Sequence, residues 1–195
     1  VKLQTRAEVV KIELTADGKR VDYLLVNGPD GQYKVRGKKF VLSCGAVLTA
    51  ALLLKSKSKQ APNGVANSSD LVGRNFMMHV NTHIAAFDWK RKNDVTFQKT
   101  LSFADWYFDG GKGYPLGMVQ LIGKVQGIMM KSYATKVPLA ILNYIANRSV
   151  EMLIMTEDLP SKDNRVEIDS KNRIHLKRKP VGMKAHKELT KKTLK

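Results

Sequence analysis

Residues 41–56, VLSCGAVLTAALLLKS, decide the fold class of this 195-residue chain. Phe40-Val41-Leu42-Ser43-Cys44 is a short apolar run of the kind that forms a strand buried on both faces. Gly45 ends it. Ala46 to Lys55 is then rich in alanine and leucine, strong helix formers, and is apolar nearly all round, which predicts a buried helix. A strand, a glycine turn and a buried helix together aim a helix N-terminus, with its unpaired N–H groups, at a phosphate-bearing ligand. Gly45 lets backbone approach such a ligand because it has no Cβ. The alternative, a tight turn with no ligand, stays open on these residues alone. Cys44, bracketed by apolar side chains, reads as a small buried hydrophobe rather than a nucleophile, so any ligand role falls to its backbone.

Working outward toward the N-terminus, Ala7–Leu14, Val21–Val26 and Gln32–Val35 are rich in β-branched residues. Asp17-Gly18 and Gly28-Pro29-Asp30-Gly31 separate them, so they read as an antiparallel meander with tight turns. Toward the C-terminus, Gln60–Ser69 reads as a polar loop. Val80–Phe87, Leu116–Val125 and Ser149–Thr156 read as strands. Arg165–Asp169 and Arg173–Lys177 flank Ser170-Lys171-Asn172 as a hairpin. The expected class is α/β (or α+β). A nucleotide-side layer with a meander, strand and buried helix occupies residues 1–80, and a second region with a mostly antiparallel sheet occupies residues 81–195.

Composition narrows the function classes. Hydrophobic residues make up 43% of the chain, enough for a core, which excludes wholesale disorder. A single cysteine excludes an internal disulfide framework. No apolar run is long enough to span a membrane as a helix. The sequence opens on Val1, and Lys2, Arg6 and Lys11 interrupt any signal-peptide pattern. Both ends read as cut. The net charge is +17, and residues 171–195 alone hold ten lysines or arginines against one acid, Glu188. That stretch supports a competing reading, a basic nucleic-acid-binding module. No aromatic residue interleaves the lysines and no zinc-finger or RNA-motif signature occurs, so solvated surface is the favoured reading of the charge.

In residues 41–56 the positions of Gly45, Ala46, Thr49, Leu52, Leu53 and Ser56 resemble a segment of the glucose–methanol–choline flavoprotein oxidoreductases. Ala50 stands where that family usually has proline, and Lys57 where it has glycine. Three further stretches agree in order. Arg6-Ala7-Glu8-Val9 resembles the strand whose valine backbone reads the adenine of FAD. Residues 62–79, PNGVANSSDLVGRNFMMH, resemble the segment ending in Gly-Arg-Asn and a histidine. Thr156 to Asp169, with Glu157, Pro160 and Asn164-Arg165-Val166, resembles a fourth. The bacterial sugar and polyol dehydrogenase branch is the most similar in flavour. The Gly-x-Gly-x-x-Gly turn that seats the FAD pyrophosphate does not occur in these residues. Nor does the histidine pair that deprotonates the alcohol.

The resemblance implies a central fragment of an enzyme that oxidises an alcohol or sugar by hydride transfer to FAD, partnered by N- and C-terminal parts of the same enzyme and inactive alone. It makes Val9, Cys44, Gly45, Asn75 and His79 the cofactor-side candidates and assigns no catalytic residue. Asn75 as a turn residue and His79 as a packing residue are the equally weighted alternatives. His79 and His83 have an i, i+4 spacing that suits zinc on a helix, but Val80-Asn81-Thr82 predicts a strand, so no metal site is assigned. Glu157 and Asp158 read as loop and cap groups. Trp89, Trp106, Tyr107 and Phe108 read as core, with a sugar-facing role as the alternative.

Overall fold

Turn chemistry sets the N-terminal architecture, as the sequence implies. The computed structural model describes residues 2–195. The elements run β1 (Glu8–Leu14), β2 (Val21–Gly28), β3 (Gly31–Val35), α1 (Gly45–Lys55), β4 (Val80–Phe87), β5 (Ser102–Phe103), β6 (Met118–Leu121), α2 (Gly127–Lys131), α3 (Leu139–Ala146), β7 (Ser149–Thr156), β8 (Arg165–Ile168), β9 (Ile174–Lys177) and α4 (Met183–Thr193). The chain divides into two units, Val1–Met77 with Pro160–Lys179, and Met78–Leu159 with Pro180–Lys195.

In the first unit β1, β2 and β3 form an antiparallel sheet in that order. Asp17 closes the first turn by accepting from the Thr15 hydroxyl at 2.5 Å and the Lys19 N–H at 3.1 Å, which holds its carboxyl below the usual range. The ladder slips between Val9 and Lys11, a bulge beside Val9. Helix α1 packs on this sheet through Leu52, against Ile12, Ala61 and Val65. Ser56 fixes the contact. Its buried hydroxyl donates to the Leu52 carbonyl at 2.7 Å and accepts the Ile12 N–H at 2.9 Å. One hydroxyl thus joins the end of α1 to the middle of β1. A second small core, Ala50, Ala51 and Val166, joins α1 to β8. The β8–β9 hairpin turns on Asp169, which accepts from the N–H groups of Lys171 and Arg173, from Arg173 Nε, and pairs with His175 Nε2. These donors hold its carboxyl far below the ordinary value.

Two expectations fail here. Residues 40–43 form no strand, and Val41 is 87% exposed. An apolar run becomes a buried strand only beside neighbours that complete its ladder, and the described residues supply none. For the same reason Cys44 is exposed rather than buried, and stands at the N-cap of α1. Burial of α1 is confined to its second half, at Ala50, Ala51 and Leu52.

In the second unit the strands order β4-β7-β6-β5, all antiparallel. Alternation along β7 gives the central strand two buried faces. Ile154 joins Leu116, Val119 and the α4 residue Leu189 in a core against which Trp106 and Tyr114 pack. Ser149 and Glu151, at the other parity, form a buried polar group. Glu151 accepts from Gln98 Nε2 at 2.5 Å and from the Ser149 hydroxyl at 2.6 Å. Asp158 accepts the N–H groups of Val181 at 2.6 Å and Gly182 at 3.0 Å, tying down the chain just ahead of α4, whose own first turn has no side-chain cap. The short helices α2 and α3 pack together and leave no periodic signal long enough to read, since α2 spans five residues.

His186 on α4 is buried between two threonines. Its Nε2 lies 2.7 Å from Thr82 Oγ1 and its Nδ1 3.0 Å from Thr156 Oγ1. Thr156 Oγ1 also lies 3.4 Å from the Val80 carbonyl, an acceptor for its own proton. That assigns the ring proton to Nδ1 and leaves Nε2 to accept from Thr82. Burial pushes the imidazole below its ordinary value. The unfolded chain therefore takes up this proton at a higher pH than the folded one. Stability from this group is full above the unfolded value and falls as pH descends below it. Thermal unfolding of this unit is expected at a lower temperature at about pH 5.5 than at about pH 7.5. A His186→Gln variant should show a flatter profile across that window; an unchanged slope would contradict the assignment.

Candidate cofactor-side site

The first half of α1 is the exposed half, and a cleft of 540 Å³ opens beside it, lined by Leu42, Ser43, Gly45, Thr49, Leu53 and Gly73 among others. Its walls are mainly apolar. No side chain caps the first turn of α1 and no acid lies in it. The Cys44 N–H is taken by Thr49 Oγ1 at 3.2 Å. The amides that follow have no intrahelical partner, as at any helix start, and carry the positive end of the helix dipole. Gly45 has φ +82, and a Cβ there would meet nothing within 4 Å. Its left-handed backbone, rather than crowding, is what favours glycine. The space beyond it stays open to a ligand.

Cys44 is exposed and is not part of the cleft lining, although its neighbours Ser43 and Gly45 are. Val9 lies on β1, the outer strand of its sheet, and does not line the cleft either. Its side chain packs into the same core as Leu42 and Leu53, two cleft residues. The outer row of β1 and the bulge beside Val9 interrupt backbone pairing at this strand.

The Gly73-Arg74-Asn75 segment forms one wall. Two stretches far apart in sequence pair here: the Val166 N–H donates to the Gly73 carbonyl at 2.8 Å, and the Phe76 N–H to the Asn164 carbonyl at 2.9 Å. Gly73 has φ +81, and a Cβ would lie 2.7 Å from the Val166 carbonyl oxygen. Glycine is required at this crossing. Arg74 ties the turn down by pairing with the Asp70 carboxylate and donating to the Lys162 carbonyl at 3.2 Å. Asn75 is half-buried with φ +57, a conformation that asparagine tolerates better than most residues. Asn164 is 2% exposed, and its amide holds the backbone of Lys179 from both sides, accepting its N–H at 2.7 Å and donating to its carbonyl at 3.0 Å.

The Asn164-Arg165-Val166 stretch, quoted above for its resemblance, braces the cleft wall, a task that sequence reasoning did not find. That reasoning also missed Ser56, Thr49 and Gly73 as positioning residues; all three sit inside the quoted motifs. His79 belongs to the second unit and is exposed. His79 and His83 lie along an extended chain at β4, where an i, i+4 pair is roughly 13 Å apart, too far to share one ion. No group of three or more metal-ligating side chains occurs among the described residues. Trp106 packs into the core, whereas Trp89 and Phe108 are exposed. No helix of the described residues is long and apolar enough to cross a membrane.

No family model matches the chain. It is similar to paromamine 6'-oxidase of Streptomyces fradiae, with 31% identity over 148 residues, which is 71% of the chain and 25% of that protein. It is similar to 6'''-hydroxyparomomycin C oxidase of Streptomyces lividus, with 32% identity over 84 residues, covering 43% of the chain and 15% of that protein. A third similarity is to the fructose dehydrogenase large subunit of Gluconobacter japonicus, with 39% identity over 79 residues, covering 40% of the chain and 14% of that protein. The chain thus spans a quarter or less of the length of these relatives. With the four motifs in family order and these relatives beside them, the chain is a relative of the glucose–methanol–choline oxidoreductases.

Proposed function

We propose that this chain forms the adenosine side of an FAD site, and part of the substrate domain, of an enzyme that oxidises a CH–OH group of an alcohol or sugar. The observation that carries the reading is the uncapped start of α1, opening on an apolar 540 Å³ cleft in a chain related to oxidoreductases. The residues present fit this part of the cofactor. The first-turn amides of α1 would border the ADP portion, and Gly45 leaves room for backbone to approach it. Leu42 and Leu53 would pack against the adenosine, whose edge the β1 backbone at Val9 would read. Asn75, two residues beyond the cleft residue Gly73, and His79 are retained as cofactor-side candidates on the resemblance. The FAD supplies the hydride acceptor, and the chain's own residues bind and orient. Relatives named for paromamine, hydroxyparomomycin C and fructose favour a sugar-like substrate.

The isolated chain should be catalytically silent, because the Gly-x-Gly-x-x-Gly turn and the histidine pair are not among its residues. Purified with FAD, a dye acceptor and fructose, it is expected to give no turnover. Dye reduction above the protein-free rate would overturn that assignment. The cofactor role is tested by exchange. The segment of the fructose dehydrogenase large subunit that corresponds to residues 41–56 is replaced by those residues of this chain. The chimera is expected to purify with flavin absorbance. A folded chimera purified without flavin would contradict the proposal.

A further inference from the structure

A second concavity, of 330 Å³, lies in the second unit, lined by Phe87, Arg91, Lys92, Asn93 and Arg148 among others. Its charge is lopsided. Three cations surround it against one acid, Asp88, whose Oδ1 already accepts the Lys90 N–H at 2.8 Å and whose Oδ2 lies 4.0 Å from Arg91 Nε. Of the nearest acids in sequence, Glu151 is buried and bonded to Gln98 and Ser149, and Asp94 is exposed and does not line the groove. Lys92 is exposed and donates no hydrogen bond among the described residues.

Arg148 is the distinctive member. Its guanidinium lies over the Tyr144 ring, 3.8 Å from the centroid, and Tyr144 in turn neighbours Phe87 on the groove floor, with ring centroids 6.5 Å apart. Stacking fixes the plane of the fork and leaves its N–H groups directed around the edge. Yet Arg148 Nε is buried and meets no acceptor among the described residues. A buried donor without a partner is costly, and such cases call for an explanation. The Asn93 amide is already spent on Gln98 Oε1 and the Ser149 carbonyl, so the donors left over are the Arg148 fork and the neighbouring cations, chemistry that matches an oxyanion.

We propose that this groove binds an oxyanion, a phosphate or carboxylate group, with the Arg148 fork as its principal contact and Lys92 and Arg91 supplying charge at the rim. The site is independent of the flavin-side reading: it lies in the other unit and uses none of the same residues.

The test is a titration of the 195-residue chain with inorganic phosphate, and separately with acetate, at constant ionic strength set by chloride. It is followed by the Arg148 side-chain Nε–H resonance and by the backbone amides of Lys92 and Asn93. Saturable movement of all three with a dissociation constant on the order of millimolar is expected for phosphate, acetate or both, and the stronger of the two names the ligand class. Arg148→Gln should weaken binding at least about tenfold, as expected for loss of a charge-assisted pair. Lys92→Gln touches no packed residue, keeps the fold, and should weaken it about threefold. Absence of saturation up to about 50 mM, an equal response to chloride alone, or unchanged affinity in either variant overturns the proposal.

Discussion

Replacing Ile154 with alanine is expected to lower the stability of the second unit by about 3–5 kcal/mol. Ile154 is fully buried at the centre of β7, the strand flanked on both sides by partners. It pairs with Thr82 on one side and Val119 on the other. Its side chain meets Leu116, Val119 and Leu189, so it joins two loops of sheet to α4. Removing three carbons loses their transfer free energy and leaves a cavity that pleated neighbours on both sides cannot collapse into. Urea unfolding followed by fluorescence of Trp106, which packs on this cluster, reads the change locally. Val41→Ala, at an exposed position, should shift the first unit by no more than about 0.5 kcal/mol. A loss below about 1 kcal/mol at Ile154 would mean that this core is not packed as described.

The second large effect is expected at Asn164. Alanine there should cost about 2–3 kcal/mol, because two hydrogen bonds to the Lys179 backbone disappear from a buried position. Asn164→Asp is the sharper test. A carboxylate still accepts the Lys179 N–H but turns a second oxygen toward the Lys179 carbonyl, where the amide had a donor. It should therefore fare no better than alanine. Stability equal to wild type in Asn164→Asp would show that the two-sided amide pairing is not what holds this segment. The consequence reaches the cleft, since Asn164 begins the stretch that pairs with Gly73 through Phe76. Amide resonances of Gly73 should move in either variant.

The elements that the sequence disclosed are those with local causes. Asp17-Gly18 and Gly28 to Gly31 dictate turns by their own backbone preferences, and the three-stranded meander follows. Val80–Phe87 and Ser149–Thr156 are strands at the bounds their composition implies, and they pair along their whole length. What the sequence concealed depends on distant partners. Phe40–Cys44 carries the composition of a buried strand without a described ladder to join, so Cys44 is exposed. Ser56 bonds to Ile12 and Asn164 to Lys179, contacts between residues with no periodic relation. The cofactor-side candidates show the same split. Gly45 was legible because a glycine after an apolar run marks a turn. The bracing of Gly73 by Val166 was not, because it joins two motifs that are nearly a hundred residues apart. Several cations are paired, Lys177 with Glu167, Arg173 with Asp169 and Lys112 with Glu188, which leaves the net charge of +17 unchanged.

On the proposed function, the start of α1 and the β1 edge border the ADP portion of FAD. Amide NMR of the 195-residue chain during titration with ADP, and in parallel with adenosine, tests it. Weak but saturable shifts are predicted at Gly45, Ala46 and Val9, weak because the pyrophosphate turn is not among the chain's residues, and stronger for ADP than for adenosine because the helix terminus attracts phosphate. Shifts that leave Gly45 and Ala46 unmoved at saturating ADP, or that appear only around Arg148 in the second unit, would contradict it.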